Sequence, residues 1–142
     1  MVNVKEIMSS DLVVCTPKDT IRDVALLMVK EDVGALPVCK GDHDLIGIVT
    51  DRDLVIRGYA QGMTPEAPVE QCMTEDLITC HEDTSLSEVG ELMSENQIRR
   101  VPVVRNNRLI GMVSLGDLVT EEYSDHIAAE ALQDISEHDH FH

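Results

Sequence analysis

Two ten-residue stretches carry the spacing most suited to chemistry. LIGIVTDRDL runs from Leu45 to Leu54, and LIGMVSLGDL from Leu109 to Leu118. Each closes an apolar run with a hydroxyl residue and sets an aspartate three places later: Thr50 before Asp53, Ser114 before Asp117. A hydroxyl and a carboxylate at that spacing can satisfy the orphan N–H groups of a helix start. The same pair can offer hydrogen-bond acceptors to a ligand, or do both. A second concentration is cationic. Of the eleven Lys and Arg residues, Arg99, Arg100, Arg105 and Arg108 fall close together, on a chain of formal net charge −16. Guanidinium forks match phosphate oxygens. The plainer alternative is a solvated strand entrance with surface ion pairs.

Other chemistry finds little support. There is no nucleophile elbow, no P-loop and no H-E-x-x-H pair, so the reading is of a protein that is not an enzyme. Cys15, Cys39, Cys72 and Cys80 make no C-x-x-C pair and fit no zinc spacing. They read as reduced, mostly buried thiols. The end SEHDHFH alternates imidazole and carboxylate groups and could bind a transition metal weakly, but a frayed terminus explains it as well. No metal site is assigned. The strong negative charge repels nucleic acid and anionic membranes, and with only Tyr59, Tyr123 and Phe141 aromatic, base-stacking platforms are nearly lacking. Lys5 and Glu6 interrupt the apolar N-terminus, and no run approaches the roughly 20 apolar residues of a membrane span. A cytoplasmic protein is expected.

The elements that position these residues come twice. An offset of 65 pairs Met8 with Met73, Cys15 with Cys80, Val24 with Val89 and Pro37 with Pro102. GDHD then becomes NNR, and an offset of 64 pairs Gly47 with Gly111 and Asp53 with Asp117. Each copy reads β-α-β-β-α: LVVC or LITC as a first strand, a helix capped at Asp19 or Thr20 and at Thr84 or Ser85, then two apolar strands. Gly34 reads as the stop of the first helix. Pro37 and Pro102 within strands require an edge or a bulge. The resulting organisation is a first repeat over 1–60, a linker over 61–68, a second repeat over 69–120, and an acidic helix and tail over 121–142. Each copy alone is too short for a robust core, so the fold class is α/β (α+β), two repeats packed about a pseudo-twofold axis.

Two copies of h-P-V followed by G-h-V-[T/S]-x-x-D-L resemble a tandem cystathionine-β-synthase (CBS) domain pair, of the stand-alone bacterial, hypoxic-response type. The resemblance implies a regulatory module binding an adenosine-containing ligand such as AMP, ADP or ATP in clefts between the repeats, with no cofactor required beyond that regulatory nucleotide. By similarity, Asp53 and Asp117 contact ribose with Thr50 and Ser114 assisting, and Arg99 and Arg100 contact phosphate. The first copy has Gly34 and Ala35 in place of those arginines. Val14, Leu36, Pro37 and Ile48, or Ile78, Val101, Pro102 and Met112, are expected as aliphatic walls for adenine. The resemblance also implies a homodimer, with Leu54, Val55 and Ile56 suggesting a buried interface, and a protein partner of unknown identity. The alternative is a ligand-free dimerisation scaffold, redox-responsive if Cys15 and Cys39 lie on neighbouring strands.

Overall fold

A computed structural model describes residues 2–120 and Ile135. The acidic segment expected as a helix and tail, and the SEHDHFH end, lie outside the described residues except for Ile135. In chain order the elements are α1 (Val4–Ile7), α2 (Ile21–Glu31), β1 (Ala35–Lys40), β2 (Asp44–Thr50), α3 (Asp51–Asp53), β3 (Cys80–His81), α4 (Leu86–Asn96), β4 (Arg100–Arg105), β5 (Arg108–Ser114) and α5 (Leu115–Val119). This mixture of strands and helices is the expected α/β class.

The chain forms two compact units. The first is Val13–Leu77. Its helix α2 starts at Thr20, whose side chain accepts from the Asp23 N–H at 3.0 Å, and it buries Val24 and Met28. The helix ends at Asp32 in the left-handed region (φ 55°), ahead of the expected stop at Gly34. Strands β1 and β2 pair antiparallel, with Leu36 opposite Val49 and Pro37 opposite Ile48. The register slips between Val38 and Cys39, so a bulge follows the proline. The Pro37 carbonyl accepts from the Cys15 N–H at 3.0 Å, and its missing N–H therefore faces the same outer side, where it costs no ladder bond. LVVC was expected as a strand, but only Cys15 pairs, through a single parallel bridge to Val38. The core joins Cys15, Val24, Met28, Leu36, Val38, Val49, Leu54, Val69, Cys72 and Met73.

The second unit is Met1–Leu12 with Ile78–His142. It repeats the same devices. Ser85 caps α4 by accepting from the Glu88 N–H at 3.2 Å, and Gln97 ends the helix at φ 55°. Strands β4 and β5 pair antiparallel, with a slip between Val103 and Val104, and β3 adds a parallel edge at Cys80–Val103. The lost residue lies in the hairpin loop: Asn106 and Asn107 both take positive φ, the two-residue turn whose twist suits paired strands, whereas the first copy uses a longer loop with Gly41 and His43 at positive φ. The core joins Val4, Val89, Met93, Val101, Val103, Val113, Leu118 and the fully buried Ile135.

The units do not coincide with the sequence repeats, because the leading segments are exchanged. Ser9 and Met112 bond each other's N–H and C=O at 2.9 Å, while Thr74 does the same with Ile48 at 2.8 and 2.9 Å. The Met8 sulfur fills the space above Gly111, and the Met73 sulfur that above Gly47. Each copy's opening methionine thus completes the other copy's last strand.

After α3 the first unit's helix widens into a π-type turn over Leu54–Gly58, with the Tyr59 N–H reaching the Leu54 carbonyl. Leu54 packs into the core, so it is not interface surface, whereas Val55 and Ile56 remain 55% and 47% exposed.

Candidate functional site

Both hydroxyl-x-x-Asp motifs are complete capping boxes. Thr50 Oγ1 accepts from the Asp53 N–H at 3.0 Å, and Asp53 Oδ2 accepts from the Thr50 N–H at 3.0 Å. In the second unit the Ser114 Oγ accepts from the Asp117 N–H at 3.2 Å, and Asp117 Oδ2 accepts from the Ser114 N–H at 2.8 Å. The sequence forces this local geometry. A strand ends in extended backbone at the hydroxyl residue, and the carboxylate three places on can turn back only across the first helical turn. One oxygen of each carboxylate is spent on the cap. The other, Oδ1, is left for outside chemistry, although in the first unit Arg57 lies 4.0 Å from it. Arg57 also donates to Thr74 Oγ1 at 3.2 Å.

A second contact builds each site. The residue just before the h-P-V strand turns its carbonyl onto the new helix. Gly34 accepts from the Asp51 N–H at 2.9 Å, and Arg99 accepts from the Leu115 N–H at 2.8 Å. The ladder then sets Ala35 opposite Thr50 and Arg100 opposite Ser114. Backbone for backbone, the two ends are copies, while their side chains differ. The second unit gathers Arg99, Arg100, Ser114 and Asp117, and its helix begins with Leu115, buried in the core. The first gathers Gly34, Ala35, Thr50, Asp51 and Asp53. Asp51 Oδ2 lies 3.1 Å from where a Cβ on Gly34 would stand.

Of the four clustered arginines, Arg105 is committed to an ion pair with Glu82. Its hydrogen bond holds the Glu82 carboxyl below its usual range. Arg99 and Arg100 are exposed, and among the described residues neither guanidinium has a hydrogen-bond or ion-pair partner.

The residues expected as adenine walls fall into two sets. Leu36 and Val101 are 1% and 0% exposed and belong to the two cores, on the strand face shared with Val49 and Val113. Pro37 with Ile48, and Pro102 with Met112, are paired across the other face. Ile48 and Met112 are half-buried there, as are Val14 and Ile78 at the chain's approach to the outer strands. The backbone groups of Ile48 and Met112 are taken by Thr74 and Ser9. Those two hydroxyl residues, with Asp51, escaped the motif reading. The offset of 65 that pairs Met8–Ser9 with Met73–Thr74 was the signal that could have found the first two.

All four cysteines are buried, and none is in a disulfide. The expected neighbour relation of Cys15 and Cys39 is present: the Cys39 N–H donates to the Cys15 carbonyl at 2.9 Å. Burial pushes the Cys15 thiol up to about 12 and Cys39 and Cys80 to about 11, so these are poor nucleophiles at neutral pH. Among the described residues no cluster of His, Cys, Asp and Glu is placed to hold a metal ion, and no helix is long and apolar enough to cross a membrane.

The CBS domain family model matches residues 4–58 and 69–124. Protein YlbB of Bacillus subtilis is 44% identical over 98% of this chain and 95% of its own length. Hypoxic response protein 1 of Mycobacterium tuberculosis is 34% identical over 83% of both chains. Its crystal structure with two coordinated zinc ions superposes with a TM-score of 0.77, covering 83% of this chain and 97% of that one. The CBS domain pair of protein MJ0100, solved with 5′-methylthioadenosine and S-adenosyl-L-methionine, is 30% identical with a TM-score of 0.73, over 82% and 92% of the two chains. CBSX2 in complex with AMP is 27% identical with a TM-score of 0.75, over 94% and 98%. With both motifs in register and each built on the same capped strand end, the chain belongs to the CBS domain proteins and carries two such domains.

Proposed function

We propose that this CBS pair is a regulatory module that senses an adenosine-containing ligand and catalyses no reaction. One observation carries the reading: Arg100 stands opposite Ser114 in the ladder, beside a capped Asp117 with a spare carboxylate oxygen. A carboxylate can accept both hydroxyls of a ribose, and charge assistance strengthens such bonds. A guanidinium one strand away can meet a phosphate. Asp53 and Thr50 play the ribose role in the first unit. Val14 and Ile48, or Ile78 and Met112, supply the apolar surface for adenine, beside the buried Pro37 and Pro102. The adenosyl ligands of MJ0100 and CBSX2 support this assignment. A net charge of −16 fits a cytoplasmic protein with no nucleic-acid or membrane partner.

Calorimetric titration with AMP, ATP, 5′-methylthioadenosine and S-adenosylmethionine tests it. Arg100→Ala should weaken AMP about ten- to a hundredfold while leaving adenosine nearly unchanged, since a hydrogen bond to a charged group contributes about 1.5–3 kcal/mol. Equal binding of AMP by wild type and variant would reduce the arginine to surface charge. No binding of any of these compounds by wild type would defeat the sensing reading.

A second reading, assembly as a homodimer, is favoured by exposed apolar side chains on two helical segments of the first unit. Leu26 and Val29 on α2, and Val55, Ile56 and Tyr59 beyond α3, are all exposed, Tyr59 by 84%. Sedimentation equilibrium should show a dimer, and Val55→Glu with Ile56→Lys should return it to a monomer.

A further inference from the structure

We infer that this chain pairs with a second copy of itself through its first unit alone, first unit against first unit, while the equivalent helices of the second unit take no part. This rests on the homodimer reading above and deepens it by naming the face that pairs and the face that does not.

The repeat sets each exposed position against a counterpart. An offset of 65 carries Leu26 and Val29 of α2 onto Glu91 and Ser94 of α4. An offset of 64 carries Val55 and Ile56 onto Val119 and Thr120. Helix α2 buries Val24 and Met28, so Leu26 and Val29, three apart, share its opposite side. They are 52% and 78% exposed. Of the large apolar side chains that stand exposed among the described residues, only Val119 lies outside the first unit. The two segments that carry the rest are neighbours: a Cβ on Gly58, in the π-type turn, would lie 3.5 Å from Ile21 Cδ1 at the start of α2. Single exposed apolar residues are ordinary, but their concentration on adjoining helical segments marks an interaction surface.

Charge decides the occupant. Helix α2 carries Arg22 and Asp23 at its start and Lys30 and Glu31 at its end, all exposed. Each end holds both signs, so a second α2 running in either direction finds opposite charges at both ends. Around the turn, Arg52 and Arg57 balance Asp51 and Asp53. A twofold contact sets one surface against itself, and a locally neutral apolar patch meets that condition even on a chain of net charge −16. The second unit does not meet it. Helix α4 carries Glu88, Glu91 and Glu95 without a Lys or Arg, and α5 adds Asp117. Two such faces would bring like charges together without a counter-ion. A first unit set on a second unit would bury those carboxylates against apolar side chains, at a desolvation cost that nothing offsets.

Sedimentation equilibrium of the full chain over a concentration series tests this, with Val29→Glu and Val119→Glu as the matched variants. Both positions are exposed, so both variants fold, and thermal melts check it. Val29→Glu should weaken self-association about thirtyfold or more, the scale of an interface hot spot. Val119→Glu should change it less than about threefold. A nitroxide on Ala60→Cys, exposed in the first unit, gives a second readout, since the native thiols are buried. Mixed with isotope-labelled wild type, it should broaden amides of α2 in the other copy and spare those of α4. A dimer indifferent to Val29→Glu, equal weakening by Val119→Glu, or broadening of α4 in place of α2 would overturn the one-sided contact and leave homodimerisation standing. A wild type that stays monomeric throughout would remove the homodimer reading and this inference with it.

Discussion

The two units share a hydrogen-bond frame and differ in what they place on it. Both build a capped strand end, a carbonyl reaching the first helical N–H, a proline with its blind side turned to the outer strand, and a left-handed helix end. Backbone bonds must be satisfied in any copy, so duplication preserves them. Charge at the exposed ends carries no such obligation. There Gly34, Ala35 and Asp51 stand against Arg99, Arg100 and Leu115. The contrast extends inward: three buried thiols, Cys15, Cys39 and Cys72, lie in the first unit, and Cys80 alone in the second.

The largest expected break between the units is alkaline. A thiol whose folded value is raised contributes stability that is full below its unfolded value and is lost as pH rises through the folded one. For Cys15, pushed from 9.0 to about 12, that window opens near pH 9 and runs to about pH 12. At about 1.36 kcal/mol per unit, Cys15 alone accounts for roughly 4 kcal/mol. Asp19, Cys39 and Cys72 add repulsion to the dominant desolvation. Methyl NMR across a pH series should show Val24, Val38 and Val49 losing native shifts before Val89, Val103 and Val113. Simultaneous loss would mean that the extra thiols do not distinguish the units. Cys15→Ala, Cys39→Ala and Cys72→Ala together should delay the first unit's transition.

Much of this was legible beforehand. The repeat register, the helix caps at Thr20 and Ser85, and the paired apolar strands follow from local periodicity and turn chemistry. The reading of Gly34 as a helix stop failed because Asp32 accepts the left-handed conformation two residues earlier. The glycine serves instead to admit the Asp51 carboxylate. LVVC has the composition of a strand but contributes only one bridge, Cys15 to Val38, although LITC, next to the equivalent Pro102, leads into β3. The exchanged leading segments are a long-range arrangement that no window of sequence contains. Only the duplicated Met-hydroxyl pair hinted at it.

That exchange gives a second, smaller test. A Cβ on Gly111 would lie 2.5 Å from Met8 Sδ and 3.1 Å from the Ser9 carbonyl. On Gly47 it would lie 2.7 Å from Met73 Sδ and 3.1 Å from the Thr74 carbonyl. The methionine tip can swing away, but the bonded carbonyl cannot without losing its bridge. Gly47→Ala and Gly111→Ala should each cost about 1–3 kcal/mol in denaturant unfolding. Met8→Ala should relieve part of the Gly111→Ala cost, and Met73→Ala part of the Gly47→Ala cost. A double-mutant cycle with no coupling would show that the methionines are not what holds the leading segments in place.

The smallest effect separates the helix ends. Asp32 and Gln97 both sit at φ 55°, and each is followed by a residue whose N–H returns to the helix: Val33 to the Met28 carbonyl at 3.1 Å, Ile98 to the Met93 carbonyl at 3.0 Å. The geometry is the glycine-favouring helix end, filled by residues with a Cβ. Left-handed backbone costs a side chain roughly 1–2 kcal/mol. Glycine removes that cost but frees the unfolded chain by about 0.4–1 kcal/mol. The net gain for Gly at either position is therefore about 0.5–1 kcal/mol. Aspartate tolerates this region better than glutamine, because its short side chain bonds locally. Gln97→Gly should accordingly gain more than Asp32→Gly. One confounding term acts on Asp32 alone: its negative charge opposes the carbonyl end of α2, and removing it helps at low ionic strength. Salt screens that term, so the comparison belongs at about 1 M salt, where the Debye length is near 3 Å. Denaturant melts there should rank Gln97→Gly above Asp32→Gly above wild type. An equal or reversed gain would place the strain in the first unit's helix end, and the two frames would then differ in the backbone as well as in charge.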